Sequence, residues 1–184
     1  MFKQVIMFAL AAFAAAEQVV DDVEYAVLET DAPEATSNSL SGTASWTWYE
    51  SYPKCCKDCG NYDANWPKDE CKDDSGCSYC GDFADGTHET LSWVKANNIV
   101  SFFDKAHPSE SYWRSNYKDK TVTVTANGKT FNAIIKDTCA DTDCGGCCTK
   151  NAKTGYLIDM EYYTVLRNFG TTDAADGTIS FKIL

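Results

Sequence analysis

Hydrophobic and polar positions alternate most clearly in TVTVTANGKTFNAII, residues 121–135. Val122, Val124 and Ala126 are separated by threonines, and after Asn127-Gly128 the alternation resumes with Phe131, Ala133 and Ile135. A strand presents one face every second residue. Asn-Gly supplies the two residues that a type I′ turn needs, because both must take positive φ. The stretch predicts a β-hairpin with one buried face. Further strands are predicted in GTASWTWYESY (42–52), NNIVSFF (97–103), GYLID (155–159) and GTISFKIL (177–184). HPSESYWRSNY predicts a short helix with Pro108 and Ser109 at its start. MEYYTVLRNF predicts an amphipathic helix stopped by Gly170. Residues 53–86 hold six cysteines and no periodicity, which reads as long stapled loops. About six strands with one or two short helices make a small, mainly β barrel or sandwich.

The first residues break the pattern. MFKQVIMFALAAFAAAEQ has a lysine, an apolar run and small residues before Glu17. That is the layout of a secretory signal peptide over residues 1–16. The run is too short to span a bilayer. Residues 17–41 carry seven acidic residues and no basic one, and predict a flexible arm or pro-segment. The folded domain is expected over residues 42–184. No internal repeat and no second domain is visible. The expected location is secreted and extracellular.

Charge narrows the partners. The formal charge is −11, and it becomes −12 once Lys3 leaves with the signal peptide. Phosphate backbones need cations, so nucleic acid is excluded as a partner. An acidic surface fits a neutral polysaccharide, with no membrane attachment after cleavage and a monomeric state.

Export also decides how the cysteines are read. The ten are Cys55, Cys56, Cys59, Cys71, Cys77, Cys80, Cys139, Cys144, Cys147 and Cys148. An even number in an oxidising compartment predicts disulfides. The pairs Cys56-x2-Cys59 and Cys77-x2-Cys80 have double-knuckle zinc spacing, with 17 residues between them. A zinc site there would leave Cys55 and Cys71 over, so disulfides are favoured and no metal is expected. Connectivity is not readable from spacing.

The remaining chemistry is carboxylates and aromatic rings. Only His88 and His107 are present, with no nucleophile-elbow serine and no His-Glu-x-x-His pair. No cofactor motif is seen. Carboxylates and flat rings suit sugar chemistry. Asp137 ends the second hairpin strand, and Asp159 stands where GYLID meets the helix. Each has a plainer reading, Asp137 as a turn residue and Asp159 as a helix cap. Asp141 and Asp143 precede Gly145-Gly146 and read as turn formers. In SWTWYESY, Trp46 and Trp48 share one strand face, and Thr47 and Tyr49 share the other. One face packs the core and the other is free to line a groove.

GTASWTWY, VTVTANGKTFNAIIKDTC, GYLIDMEYYTVLRNFG and GTISFKIL, in this order, resemble the expansin-like and family 45 endoglucanase-like group. That group includes single-domain loosenins and barwin-like proteins. The resemblance covers about residues 42–184. It implies a six-stranded double-psi β-barrel with one or two short helices and disulfide-stapled loops. It also implies Asp159 as the key acid, Asp137 as a second groove carboxylate, and Thr47 in the groove beside Tyr49, Trp48 and Trp46 as polysaccharide-binding positions. The run Cys55-Cys56-Lys57-Asp58-Cys59 is similar to one in family 45 hydrolases, where an aspartate base precedes the cysteine pair. Here that position is Lys54. An inverting hydrolase needs a second carboxylate to activate water, and Glu50 is the remaining candidate base.

Three functions are therefore expected, in order. The first is a secreted, non-hydrolytic binder and loosener of cellulose or a related β-glucan. The second is an endo-β-1,4-glucanase with an unusual base. The third is a secreted effector or protease inhibitor on the same barrel.

Overall fold

The computed structural model describes residues 39–66, 75–174 and 177–184. The expected signal peptide, most of the expected acidic arm and Cys71 lie outside the described residues. Six strands close into one ring in the order β1-β5-β2-β4-β3-β6. They are β1 (Ser41–Tyr49), β2 (Ile99–Asp104), β3 (Thr121–Ala126), β4 (Lys129–Asp137), β5 (Tyr156–Glu161) and β6 (Thr178–Ile183). Two neighbouring pairs, β1 with β5 and β2 with β4, run parallel, and the other four pairs are antiparallel. Closure removes free sheet edges. Among the described residues no helix is long and apolar enough to cross a membrane.

The hairpin forms as its pattern dictates. Val122, Val124, Ala126, Ala133 and Ile135 are buried in the barrel core, and Asn127 and Gly128 take φ of 49° and 74°. The interior is completed by Ala44 and Trp46 from β1, Val100 and Phe102 from β2, Ile158 and Met160 from β5, and Ile179, Phe181 and Ile183 from β6.

The helices differ from expectation in number and in one boundary. Among the described residues four short ones are present: α1 (Leu91–Ala96), α2 (Glu110–Asn116), α3 (Cys147–Asn151) and α4 (Tyr162–Phe169). The α2 cap is Ser109, whose Oγ accepts from Tyr112 N. Helices α1 and α3 span six and five residues, too short to leave a periodic signature. The fifth strand runs two residues past GYLID, through Glu161. The α4 cap is therefore Glu161, not Asp159, with Glu161 Oε2 accepting from Tyr163 N at 2.6 Å. Gly170 ends α4 at φ 79°, in the left-handed region where a side chain is costly.

Two smaller apolar clusters cover the outside of the barrel. One joins Tyr52, Cys56, Cys59, Phe83, Val94 and Ile99. The other joins Phe103, Cys148, Ala152 and Leu157. Disulfides staple both: Cys56–Cys77 and Cys59–Cys80 in the first loop system, Cys139–Cys148 and Cys144–Cys147 in the second. Cys55 is disulfide-bonded too. The double-knuckle cysteines thus pair with each other across their two motifs. Such bridges belong to an extracellular-type protein.

Candidate functional site

Between the two outer clusters runs a polar row. In β1 the core takes Trp46 and, in part, Trp48, so Thr47 and Tyr49 face outward. Thr47 stands in register with Asp159 on β5, and Asp159 with Ser101 on β2. Ser101 stands in register with Asp137 on β4. Partners in register share a face, so Thr47, Asp159, Ser101 and Asp137 form one line across four strands. Tyr49 and Glu161 form the next rung of the same face.

Asp137 reaches this face through a bulge. Val100 pairs with Ile135, yet Ser101 pairs with Asp137, which leaves Lys136 as the extra residue. Strict alternation from Phe131, Ala133 and Ile135 would have pointed Asp137 into the core. The bulge turns it outward and sends the Lys136 ammonium to Asp85 at 2.5 Å and Glu89 at 3.3 Å. Lys136 is only 7% exposed. Its backbone oxygen accepts from Asp85 N, and Ala84 N donates to Asp137 Oδ1 at 3.3 Å. One loop, residues 83–89, is thereby tied to the bulge by main chain and side chains together.

Thr47 and Asp159, at one end of the row, line an open groove of about 930 Å³. Thr47, Tyr49, Glu50, Ala140, Asp143, Asn151 and Asp159 are among the residues that line it. A cleft of about 460 Å³ containing Asp137 and Glu110 adjoins it, sharing Cys139, Ala140 and Asp143. The Cys-rich loop is thus the wall between the two. Asp141 braces that wall: its carboxylate accepts from Thr149 N and Oγ1, eight residues away, while its backbone oxygen accepts from Gly146 N in the turn that its sequence context predicts. Asp143 stays at the surface and faces the groove.

Burial sets the protonation of this face. It raises the Asp159 carboxyl to about 7, helped by the negative charge of Asp137. Among the described residues no group hydrogen-bonds to that carboxyl. Burial also raises Asp137, but the Thr138 and Ala84 amides oppose it, and the result is about 6. Glu161, fully buried, rises to about 7 although Ser51 and the α4 amides hold it. The Tyr49 hydroxyl is buried without a well-formed hydrogen bond. Burial and then the charges of Asp137, Glu161 and Asp159 hold its pKa well above the phenol value.

The other expected site residues are distributed unevenly. Trp46 is 2% exposed inside the barrel and faces away from the groove, so its role as a groove residue is withdrawn. Trp48 packs partly on the core and also borders the groove. Glu50 lines the groove, with Oε2 accepting from Trp66 Nε1 at 3.1 Å. Lys54 donates to Tyr162 Oη at 2.6 Å and lies over the rings of Trp66 and Tyr162, 4.0 and 4.2 Å from their centroids. Trp66, Tyr162 and Ser101 carried no sequence signal as site residues. For Ser101 the signal was available only through strand pairing.

Neither a protein-family model nor a curated protein sequence matches the chain. Among solved structures the chain is similar to Streptomyces papain inhibitor (SPI), at 16% identity over 79% of this chain and 94% of that one, with a TM-score of 0.43. A likeness of this extent carries no argument about activity.

Proposed function

We propose that this is a secreted protein that binds and loosens a cell-wall polysaccharide such as cellulose without hydrolysing it. The barrel is read as the double-psi type. The observation that carries the function is the outward line of Thr47, Asp159, Ser101 and Asp137, whose Thr47–Asp159 end lines an open groove and whose Asp137 end lines the adjoining cleft. A groove open at its surface admits a chain rather than a small molecule. Tyr49 and Trp48 offer ring surface to the apolar faces of sugars. Below pH 7 the Asp159 carboxyl is protonated and donates to a glycan oxygen. Thr47 and Asp137 hold hydroxyl groups beside it.

Hydrolysis needs a carboxylate that activates water across from the acid. At the position before the cysteine pair stands Lys54, held as an ammonium between two aromatic faces. Glu50 is engaged by the Trp66 indole. Binding and disruption of glycan packing are therefore the reading, with Asp159 as the acid. The test is co-sedimentation of the mature protein with insoluble cellulose at pH 5. Retention that falls at least about tenfold in Asp159→Asn and Thr47→Ala supports it. Retention equal in both variants, or none in the wild type, contradicts it.

A further inference from the structure

We propose that Ser101 is a hydroxyl relay that joins Asp159 to Asp137, so that the two carboxyls share protons as one unit. The inference deepens the glycan reading and takes its purpose from it, although the relay itself is defined without any glycan.

Ser101 is the one residue in register with both acids. Side chains in register on one face have Cβ atoms roughly 5 Å apart, so a serine hydroxyl between two carboxyls reaches either by rotating about χ1. Ser101 is 4% exposed, and its Oγ has no hydrogen-bond partner among the described residues. A buried, unsatisfied hydroxyl is costly to keep, and alanine would fill the same place without that cost. The bulge at Lys136 is what brings Asp137 opposite Ser101. The acids also differ in the way a relay requires. Asp159 accepts no hydrogen bond and holds its proton more tightly, whereas Asp137 accepts two amides and ionises first.

The ionisable groups around this position are Asp159 and Glu161 on β5, Asp137 on β4 and Tyr49 on β1. Asp85 adds negative charge to Asp137, and the Lys136 ammonium is turned to Asp85 and Glu89. When Asp159 yields its proton to a glycan oxygen, the Ser101 proton moves to the Asp159 carboxylate. The proton of a protonated Asp137 moves to Ser101 Oγ. The O–H bond broken at Asp137 is matched by the one formed at Asp159, and the serine ends unchanged. With Asp137 ionised, Ser101 donates to it and accepts from the Asp159 O–H.

Carboxyl-carbon NMR titration of the full chain tests this, comparing wild type with Ser101→Ala and Ser101→Thr. In the wild type Ser101 stabilises the charged form of Asp137 and the neutral form of Asp159. Its removal is expected to raise the lower apparent pKa and lower the upper one, narrowing the gap by about half a unit, a threefold change in relative acidity. Ser101→Thr keeps the hydroxyl and is expected to keep the wild-type gap. An unchanged gap in Ser101→Ala overturns the relay. So does a gap narrowed equally in Ser101→Thr, which marks a packing effect. Should Ser101→Ala not fold, Asp137→Asn decides: a drop of the Asp159 pKa by about one unit or more supports coupling, and no drop overturns it. A narrowed gap in a protein that cellulose does not retain supports the relay while contradicting the glycan reading.

Discussion

The Lys54 ammonium donates to the Tyr162 hydroxyl at 2.6 Å while resting on the Tyr162 and Trp66 rings. Lys54 stands directly before Cys55-Cys56, the position at which the sequence resemblance led to the expectation of a base. The lysine side chain fixes both rings, and it is not the carboxylate that activation of water requires. Lys54→Met keeps the apolar stem and removes the charge. It is expected to lower stability by about 1–2 kcal/mol, from the lost cation–π contact and hydrogen bond. Chemical denaturation at pH 6 reads the loss, and a variant as stable as wild type shows the cage to be incidental.

Asp159 should show opposite effects on stability and function. Its carboxyl is held neutral to about pH 7 by burial and by Asp137, so ionising it costs folding free energy. Asp159→Asn removes that cost. At pH 8 the variant is expected to be more stable by about 1–3 kcal/mol, which is roughly 3–10 °C in Tm for a chain of this size. It is expected to lose polysaccharide loosening at the same time. A variant less stable than wild type at pH 8 would falsify the protonation assigned to Asp159.

The same physics gives the pH profile of the whole chain. Asp137, Asp159 and Glu161 all have folded-state pKa values above those of the unfolded chain. Between about pH 4 and 7 the folded state holds more protons than the unfolded one, so stability falls as pH rises through this window. Asp104 works in the other direction. Burial would raise it, but bonds from His107, Tyr117 and Ala106 outweigh burial and hold it low, so its contribution is lost only on acidification below about pH 4. Melting temperature is expected to peak near pH 4–5 and to be lower by about 5 °C or more at pH 8. A flat profile from pH 4 to 8 contradicts the three raised carboxyls.

Lys136 supports the site from behind. With Lys136 only 7% and Asp85 only 3% exposed, removing one partner strands the other as a buried charge. Lys136→Met is expected to cost about 3 kcal/mol, and the double change with Asp85→Asn to cost less than that single change. Thermal unfolding of the two variants measures the difference. The single change should also weaken cellulose retention, because the bulge that aims Asp137 depends on the same loop contacts. Equal losses in the single and double variants would show that the ion pair does not anchor the bulge.

How much of this was legible in the sequence depended on how local the signal was. The hairpin was readable because alternation and the Asn127-Gly128 turn lie within the fifteen residues 121–135, and Ser109 and Gly170 mark helix ends locally. Asp159 looked like a helix cap because its strand runs on through Met160 and Glu161. That extension is set by pairing with Trp48 and Tyr49, more than a hundred residues earlier. The direction of Asp137 depended on one extra residue, Lys136, opposite a strand 35 residues away, which alternation within β4 does not reveal. Ser101, one serine in an apolar strand, became a site residue only once both neighbouring strands were known. The aromatic cage around Lys54 gathers residues 54, 66 and 162 from three loop and helix positions with no common period.

The most direct test of the account is the extension of a cellulose–xyloglucan sheet under constant load at pH 5, with reducing ends counted in the same bath. The account predicts that the mature protein lengthens the sheet without raising the count, and that Asp159→Asn does neither. Steady release of reducing ends that Asp159→Asn abolishes, or no extension from a protein that instead inhibits a papain-like protease, would contradict it.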